Sequence, residues 1–319
     1  MKLKLVILLS AITAIFACAI GLTACSKDEQ LRFTLSSDGT YYICESGRST
    51  GSDAEIVIPS VYKDKPVKEI GHFGCDNLES VTIPDSVITI GEDAFSGSPK
   101  LKNVTIGSGV KEIAKFAFGG CTALESITIP DNVTTIGESA FEQCHNLKNV
   151  SLGKGITAIS GYTFKSCENL KNIVLPDTVE IIDDWAFCLS GIENITIGNG
   201  VTTIGDNAFR ECTNLVNIII PDTVKAIKDW AFCGCSGLKT IVLGSGVETF
   251  GQYVFRNCTN FQSLYFKGSY EYWAEHIATN YGSEIYQNAV VYFYSETRPA
   301  EDGNYWRYVN GEITVWENE

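Results

Sequence analysis

At 319 residues the chain is long enough to bury a sizeable core or to divide into two domains. Its 45% hydrophobic content is that of an ordinary globular protein. Its formal charge of −14 and isoelectric point near 4.7 exclude the basic patches that nucleic acid or an anionic membrane surface demands.

The N-terminus opens with "MKLK", then the apolar run "LVILLSAITAIFACAIGL", then "TACSKDEQ". A basic segment, an apolar segment and small residues at the junction predict an export signal over residues 1–24. The run is also long enough for an uncleaved membrane anchor. "LTAC", ending at Cys25, resembles the bacterial lipobox, whose cysteine is diacylated and becomes the new N-terminus. "IFAC", ending at Cys18, fits less well because Phe16 stands where a small residue is expected. The expectation is an exported lipoprotein anchored at the cell surface, with residues 25–39 as its tether. Loss of Lys2 and Lys4 with the signal takes the charge from −14 to −16.

From residue 78 the chain repeats itself. Leu78, Leu101, Leu124, Leu147, Leu170, Ile192, Leu215, Leu238 and Phe261 recur every 23 residues, with one interval of 22. One unit, "LESITIPDNVTTIGESAFEQCHN", carries an apolar skeleton of Leu124, Ile127, Ile129, Val133, Ile136, Ala140 and Phe141. Such a period with an L-x-x-L-x-L opening predicts a leucine-rich solenoid. The alternation in "LESITI" is that of a half-buried strand. "PDNV" and "GSGV" supply turns, and a second short extended stretch leads into "GESAF". No unit folds alone, because burying seven side chains at about 1.5–3 kcal/mol each does not offset ordering 23 residues at about 1–2 kcal/mol each. Stacking is therefore obligatory.

Pro84, Pro130, Pro176 and Pro221 mark "PD" turns, and Gly107, Gly153, Gly198 and Gly244 open "GxG" turns. The two types alternate strictly, so "TIPDSVITIGEDAF" at 82–95 returns as "TIPDNVTTIGESAF" 46 residues later. Duplication of a two-coil unit would produce this echo.

The pattern "IPDSV…IG…AF…C…L" resembles the BspA-like leucine-rich repeats of bacterial surface proteins over roughly residues 40–266. The resemblance implies a mostly β solenoid of about nine 23-residue coils with N- and C-terminal caps. Residues 40–77 are similar to the capping half-repeat and degenerate first repeat of such arrays, with "IGHFGC" lacking the "AF". Residues 78–266 form the repeat array, and 267–319 resemble the aromatic tail that closes many of them. The implied role is adhesion, or recognition of a protein of the host matrix or cell surface.

No reactive cluster breaks the repeat. There is no H-E-x-x-H, no G-x-S-x-G elbow and no Walker loop. His72, His145 and His276 stand in unrelated contexts. Cys75, Cys121, Cys144, Cys167, Cys212, Cys235 and Cys258 each precede a repeat opening by three residues. Stacked at about 4.8 Å with parallel Cβ vectors they do not suit disulfides and read as small buried residues. "CGC" at 233–235 has no second pair at zinc spacing. Asp85, Asp131, Asp177 and Asp222 recur about 10 Å apart, too far to share a calcium ion. The expectation is a non-enzymatic chain with no cofactor and no metal.

Two outward columns remain as candidate surfaces. On the main strands, expected to be concave, small polar residues drift toward apolar ones at the C-terminal end. The candidates there are Asn149, Asn172, Val174, Asn194, Asn217, Ile219, Val242 and Tyr265. They suit a protein or glycan partner, or equally an amide and hydroxyl ladder that stabilises the sheet. The second column precedes "AF": Phe116, Tyr162, Trp185, Trp230 and Tyr253, interrupted by Asp93, Ser139 and Asn207. These rings could stack on sugars or shield the turns of adjacent coils. A protein-binding surface, a glycan-binding module for the envelope or for dietary polysaccharide, and a structural spacer are the three readings open at this point.

Overall fold

The computed structural model describes residues 31–46, 54–74, 76–277, 289–299 and 303–316. The segment expected to be an export signal, Cys25 and Cys75 lie outside them. The repeat unit 124–146 shows how each coil is built. The strand Ser126–Thr128 is followed by the Pro130–Val133 turn, the two-residue strand Thr135–Ile136 and a run of tight turns. All seven skeleton residues of this unit are at most 3% exposed. Equivalent coils stack so that ten parallel main strands run from Glu55–Val57 to Ser263–Phe266, one more than the repeat openings. The additional strand precedes Leu78 and belongs to the N-terminal cap.

Phenylalanine forms the axis of the core. Phe73, Phe95, Phe118, Phe141, Phe164, Phe187, Phe209, Phe232 and Phe255 stack one per coil at centroid spacings of 5.2–5.9 Å. Phe73 begins this column, so "IGHFGC" keeps the phenylalanine of its "AF" but reaches it two residues sooner after Ile70 than Phe95 follows Ile90. Each full coil then turns through two residues in the left-handed region, four apart. Examples are Ser139 and Gln143 (φ 57° and 60°), Trp185 and Leu189 (62° and 59°), and Trp230 and Gly234 (60° and 75°). For residues other than Gly this costs about 1–2 kcal/mol each. The geometry aims alternate amides at the next coil: Ser139 N to Gly161 O at 2.9 Å, Phe141 N to Thr163 O at 3.0 Å and Gln143 N to Lys165 O at 2.9 Å. Three inter-coil hydrogen bonds at about 1 kcal/mol each offset the strained conformations.

The cysteine column adds a fourth bond. Cys144 Sγ donates to Phe118 O at 3.2 Å, and Cys121, Cys167, Cys212, Cys235 and Cys258 repeat the contact with the phenylalanine carbonyl one coil back. All the described cysteines are buried and free. Those of the column are packing residues, as their spacing predicts, and also hydrogen-bond donors.

The alternation of turns has a steric basis. A Cβ on Gly153 would lie 2.3 Å from Pro130 O, and one on Gly155 would lie 2.3 Å from Asp131 O. The Pro-Asp turn of each odd coil thus sits in a niche that only Gly-x-Gly leaves open. Asp131 Oδ1 then accepts the Lys154 amide at 3.0 Å, and Asp85, Asp177 and Asp222 accept the amides of Ser108, Asn199 and Ser245 at 2.7, 2.7 and 3.0 Å. These aspartates are turn caps. Coils are thereby joined in pairs spanning 78–123, 124–169, 170–214 and 215–260.

Main-strand pairing follows the same division. Ser126–Thr128 pairs with Asn149–Ser151, and Asn172–Val174 with Asn194–Thr196, while no ladder links one coil pair to the next on this sheet. The flanking ion pairs Lys102–Glu79, Lys148–Glu125 and Lys171–Glu193 also stay within pairs. At each junction the central side chain of the Gly-x-Gly strand is partly uncovered. Val104, Val150 and Ile195 are half-buried, whereas Val81, Ile127, Ile173 and Ile218 are at most 3% exposed.

The caps differ from expectation in one boundary. Leu31–Leu35 pairs antiparallel with Tyr42–Ser46, which runs parallel to Lys65–Ile70. Phe33 stacks on Tyr62 at 4.0 Å beneath this hairpin. Residues 31–35 therefore belong to the cap and not to a tether reaching residue 39. At the other end, Val290–Tyr294 extends the main sheet parallel to Ser263–Phe266, and Tyr305–Val309 follows it. Trp306 is fully buried there, its indole N–H donating to Phe266 O at 3.0 Å.

Three outcomes follow from this packing. Gly155→Ala should destabilise the protein by about 3 kcal/mol or more, because backbone carbonyls must move apart. Gly97→Ala, at φ 67° with nothing within 4 Å, should cost only about 1–2 kcal/mol. Urea unfolding of the two variants checks the contrast. Strand alternation points the Leu175 amide to Thr196 O within its pair, so the Val174 amide faces the open junction. It should exchange with deuterium at least tenfold faster than the Leu175 amide. Burial pushes the thiols of Cys121 and Cys212 up to about 12 from an ordinary value near 9. Between those values only the unfolded chain loses these protons, so stability should fall as pH rises from about 9 toward 12. A Cys121→Ala, Cys212→Ala variant should show a shallower fall in unfolding free energy over that range.

Candidate binding face

The candidate residues of the main sheet fall into three environments. Asn149, Asn172, Val174, Asn194, Asn217 and Ile219 are exposed, with Val174 at 64% and Ile219 at 59%. Tyr265 is half-buried, stacked on Tyr292 at 5.0 Å and edge-on to Trp306 at 5.5 Å. Val242 is 3% exposed and is no binding residue. It lies one strand from Tyr265 in register, and the aromatic cap built on Tyr265 closes this end of the face. At this end of the sheet the apolar residues Val242 and Tyr265 belong to the packing of the cap.

The open part of the face centres on the junction between the second and third coil pairs. A groove of about 860 Å³ lies there, lined by Val150, Leu152 and Val174, with Asn172, Asn194 and Thr196 at its rim and Lys154, Asp177 and Thr178 at one end. Its position has a local cause. At the first junction Asn132 Nδ2 donates to Ser108 O at 2.8 Å, and at the third Thr223 Oγ1 donates to Val201 O at 2.9 Å. The corresponding Thr178 spans no such bridge among the described residues, and it lines the groove instead. The structure thus brings Asn172, Val174 and Asn194 into one site. Asn149 lies on the strand alongside, whereas Asn217 and Ile219 lie beyond the next junction. An amide contact joins Asn194 Nδ2 to Asn172 Oδ1 at 2.9 Å within the pair.

Val150 and Leu152 were not candidates, because strand alternation marks both as inward. The signal was the change from a Pro-Asp coil to a Gly-x-Gly coil, which ends a pair and uncovers them. The groove is neutral in balance, with Lys154 and Asp177 at its end and amides and hydroxyls on its rim. It offers hydrogen bonds and an apolar floor.

The aromatic column is differently disposed. Phe116, Tyr162, Trp185, Trp230 and Tyr253 all occupy left-handed positions and are half-buried. Tyr162 and Trp185 lie parallel at 6.0 Å, and Trp230 meets Tyr253 at 4.5 Å. Where Asn207 interrupts the rings, the Arg210 guanidinium fills the gap, 5.6 Å from the Trp185 ring and 5.7 Å from the Trp230 ring. It also donates to Asn207 Oδ1 at 3.3 Å. Arg256 covers Trp230 and Tyr253, Lys165 covers Tyr162 and Lys115 covers Phe116 at 5.0–5.4 Å. The ring faces are turned to one another and to cations.

Among the described residues no group of three or more His, Cys, Asp or Glu side chains is placed to hold a metal, and no helix is long and apolar enough to cross a membrane.

The family described as the BspA type leucine rich repeat region matches residues 69–193 and 180–283, in six copies. No curated protein matches the chain. Among solved structures it is similar to a leucine-rich repeat protein from Bacteroides ovatus, at 29% identity over 74% of this chain and 70% of that one, with a TM-score of 0.54. It is also similar to the leucine rich repeat protein of T. pallidum, at 27% identity over 73% and 89% with a TM-score of 0.43. A leucine rich cell surface protein from Faecalibacterium prausnitzii matches at 22% identity over 78% and 96%, with a TM-score of 0.33. The family match spans well over half of the chain and coincides with the stacked coils, so this chain belongs to the BspA-type leucine-rich repeat family.

Proposed function

We propose that the chain is a non-enzymatic, surface-anchored binding protein that recognises a protein partner through the open part of its main sheet. The observation that carries this reading is the groove at the second junction, with an apolar floor, an amide rim and rigid strands on both sides. A preformed surface of this kind has little ordering cost on binding. The family supports a protein-binding or adhesion-type role, and the N-terminal "LTAC" supports anchoring through Cys25. The acidic balance of the chain favours partners with basic surfaces. The aromatic column serves the fold in this reading, because Trp185 and Trp230 each lie against a second ring and a guanidinium, which compete with a sugar for their faces.

Cells displaying the full chain, screened against arrayed matrix and cell-surface proteins, should retain a specific partner. Val174→Asp should weaken that binding about tenfold or more, as expected for a charge placed on the floor of a contact site. A Trp185→Ala, Trp230→Ala variant should bind as before once its folding is verified by thermal melting. Retention that is indifferent to Val174 and lost with the two tryptophans would sink the assignment to the main sheet.

A further inference from the structure

The turn edge of the solenoid carries the Asp-to-amide cap four times, and at one of them something stands over it. In the last coil pair Asp222 Oδ1 accepts the Ser245 amide at 3.0 Å, while Lys267 Nζ lies 3.3 Å from Asp222 Oδ2. Lys267 follows the strand Ser263–Phe266, so three successive coils contribute one polar group each. Above them the C-terminal cap places Tyr294 and Tyr308, which enclose with Asp222, Ser245 and Lys267 an open cavity of about 270 Å³. The caps at Asp85, Asp131 and Asp177 have no ring over them among the described residues.

The two tyrosines are held in place from behind. Trp306, fully buried, meets Tyr294 edge-on at 5.2 Å and Tyr308 at 5.0 Å. The two phenol rings are 6.3 Å apart and tilted by 50°, so they form a wedge and neither covers the other. Tyr308 is 41% exposed. Neither hydroxyl has a hydrogen-bond partner among the described residues. The cavity therefore combines two open aromatic surfaces, two uncommitted hydroxyls, a carboxylate fixed at both oxygens and an ammonium group.

The geometry points to a subsite for one neutral pyranose unit, such as the terminal residue of a glycan. The C–H face of a sugar ring suits the tyrosine wedge, and its vicinal hydroxyls suit a carboxylate that accepts beside an ammonium that donates. Asp222 compensates the charge of Lys267, which selects against an acidic sugar. The volume falls just below the ~300–1,000 Å³ of pockets for drug-sized ligands, so it holds one ring and not a chain. This subsite is separate from the groove and stands or falls independently of it.

Saturation-transfer NMR on the full chain, with the methyl glycosides of glucose, galactose and N-acetylglucosamine and with methyl glucuronide, tests the assignment. At least one neutral glycoside should receive saturation, at five times or more the level of the glucuronide. Tyr308→Ala and Lys267→Gln should each reduce the transfer at least fivefold. Tyr308→Phe, which keeps the packing on Trp306, should reduce it less than Tyr308→Ala, and Val174→Asp should leave it unchanged. Absence of transfer to every neutral glycoside, a stronger signal from the glucuronide, or a signal that survives both Tyr308→Ala and Lys267→Gln would each overturn it.

Discussion

The contact on which the architecture depends is the close approach of a Pro-Asp turn to the Gly-x-Gly turn of the following coil. At Gly153 and Gly155 there is no room for a single methyl group, and the aspartate side chain seals the contact by capping the amide between the glycines. Because the niche exists only on one type of coil and the wedge only on the other, coils mate in one order. Main-strand pairing and the flanking ion pairs then follow the mated surfaces. The junction between pairs lacks both, and the apolar groove is the result.

Two sides of the solenoid consequently differ in kind. On the side of the tight turns, the phenylalanine column and the left-handed residues run through every junction, and the thiol-to-carbonyl bonds cross the first and third, Ser190 taking the place of the cysteine at the second. On the main-sheet side, cohesion comes in blocks of two coils, to which the cap strands and the ninth coil are added at the two ends. Bending at a junction would pivot on the turn side and open or close the main-sheet side. The cations over the aromatic rings belong to the rigid side: Arg210 takes the place of a ring where Asn207 supplies none.

Residues 78–266 were legible as a solenoid because the period and the apolar skeleton are properties of each coil alone. What escaped were contacts between coils. The alternation of Pro-Asp and Gly-x-Gly was visible, but its meaning lies in a distance between backbones that no single unit contains. Bulky residues such as Trp185, Leu189 and Trp230 carry no propensity for positive φ, so their conformation is imposed by the ladder they feed. Val242 reads as outward by strand alternation and is nevertheless buried, in register with Tyr265, on which Tyr292 and Trp306 return from far later in the chain to pack. Asn172, Val174 and Asn194 were recognisable from exposure and column position. Val150 and Leu152 were not, since their exposure is a defect in pairing.

The two-coil block also limits how such a chain can change length. Removing one coil would set a Pro-Asp turn against another, or a Gly-x-Gly niche against its own kind. The caps are tuned to this parity as well: the first meets a Pro-Asp coil, and the last closes on the turn of a Gly-x-Gly coil, with Lys267 reaching back to Asp222. Array length is in that sense quantised. The number of repeats can be revised in even steps, and each step adds or removes one seam on the surface while leaving both ends chemically as they were.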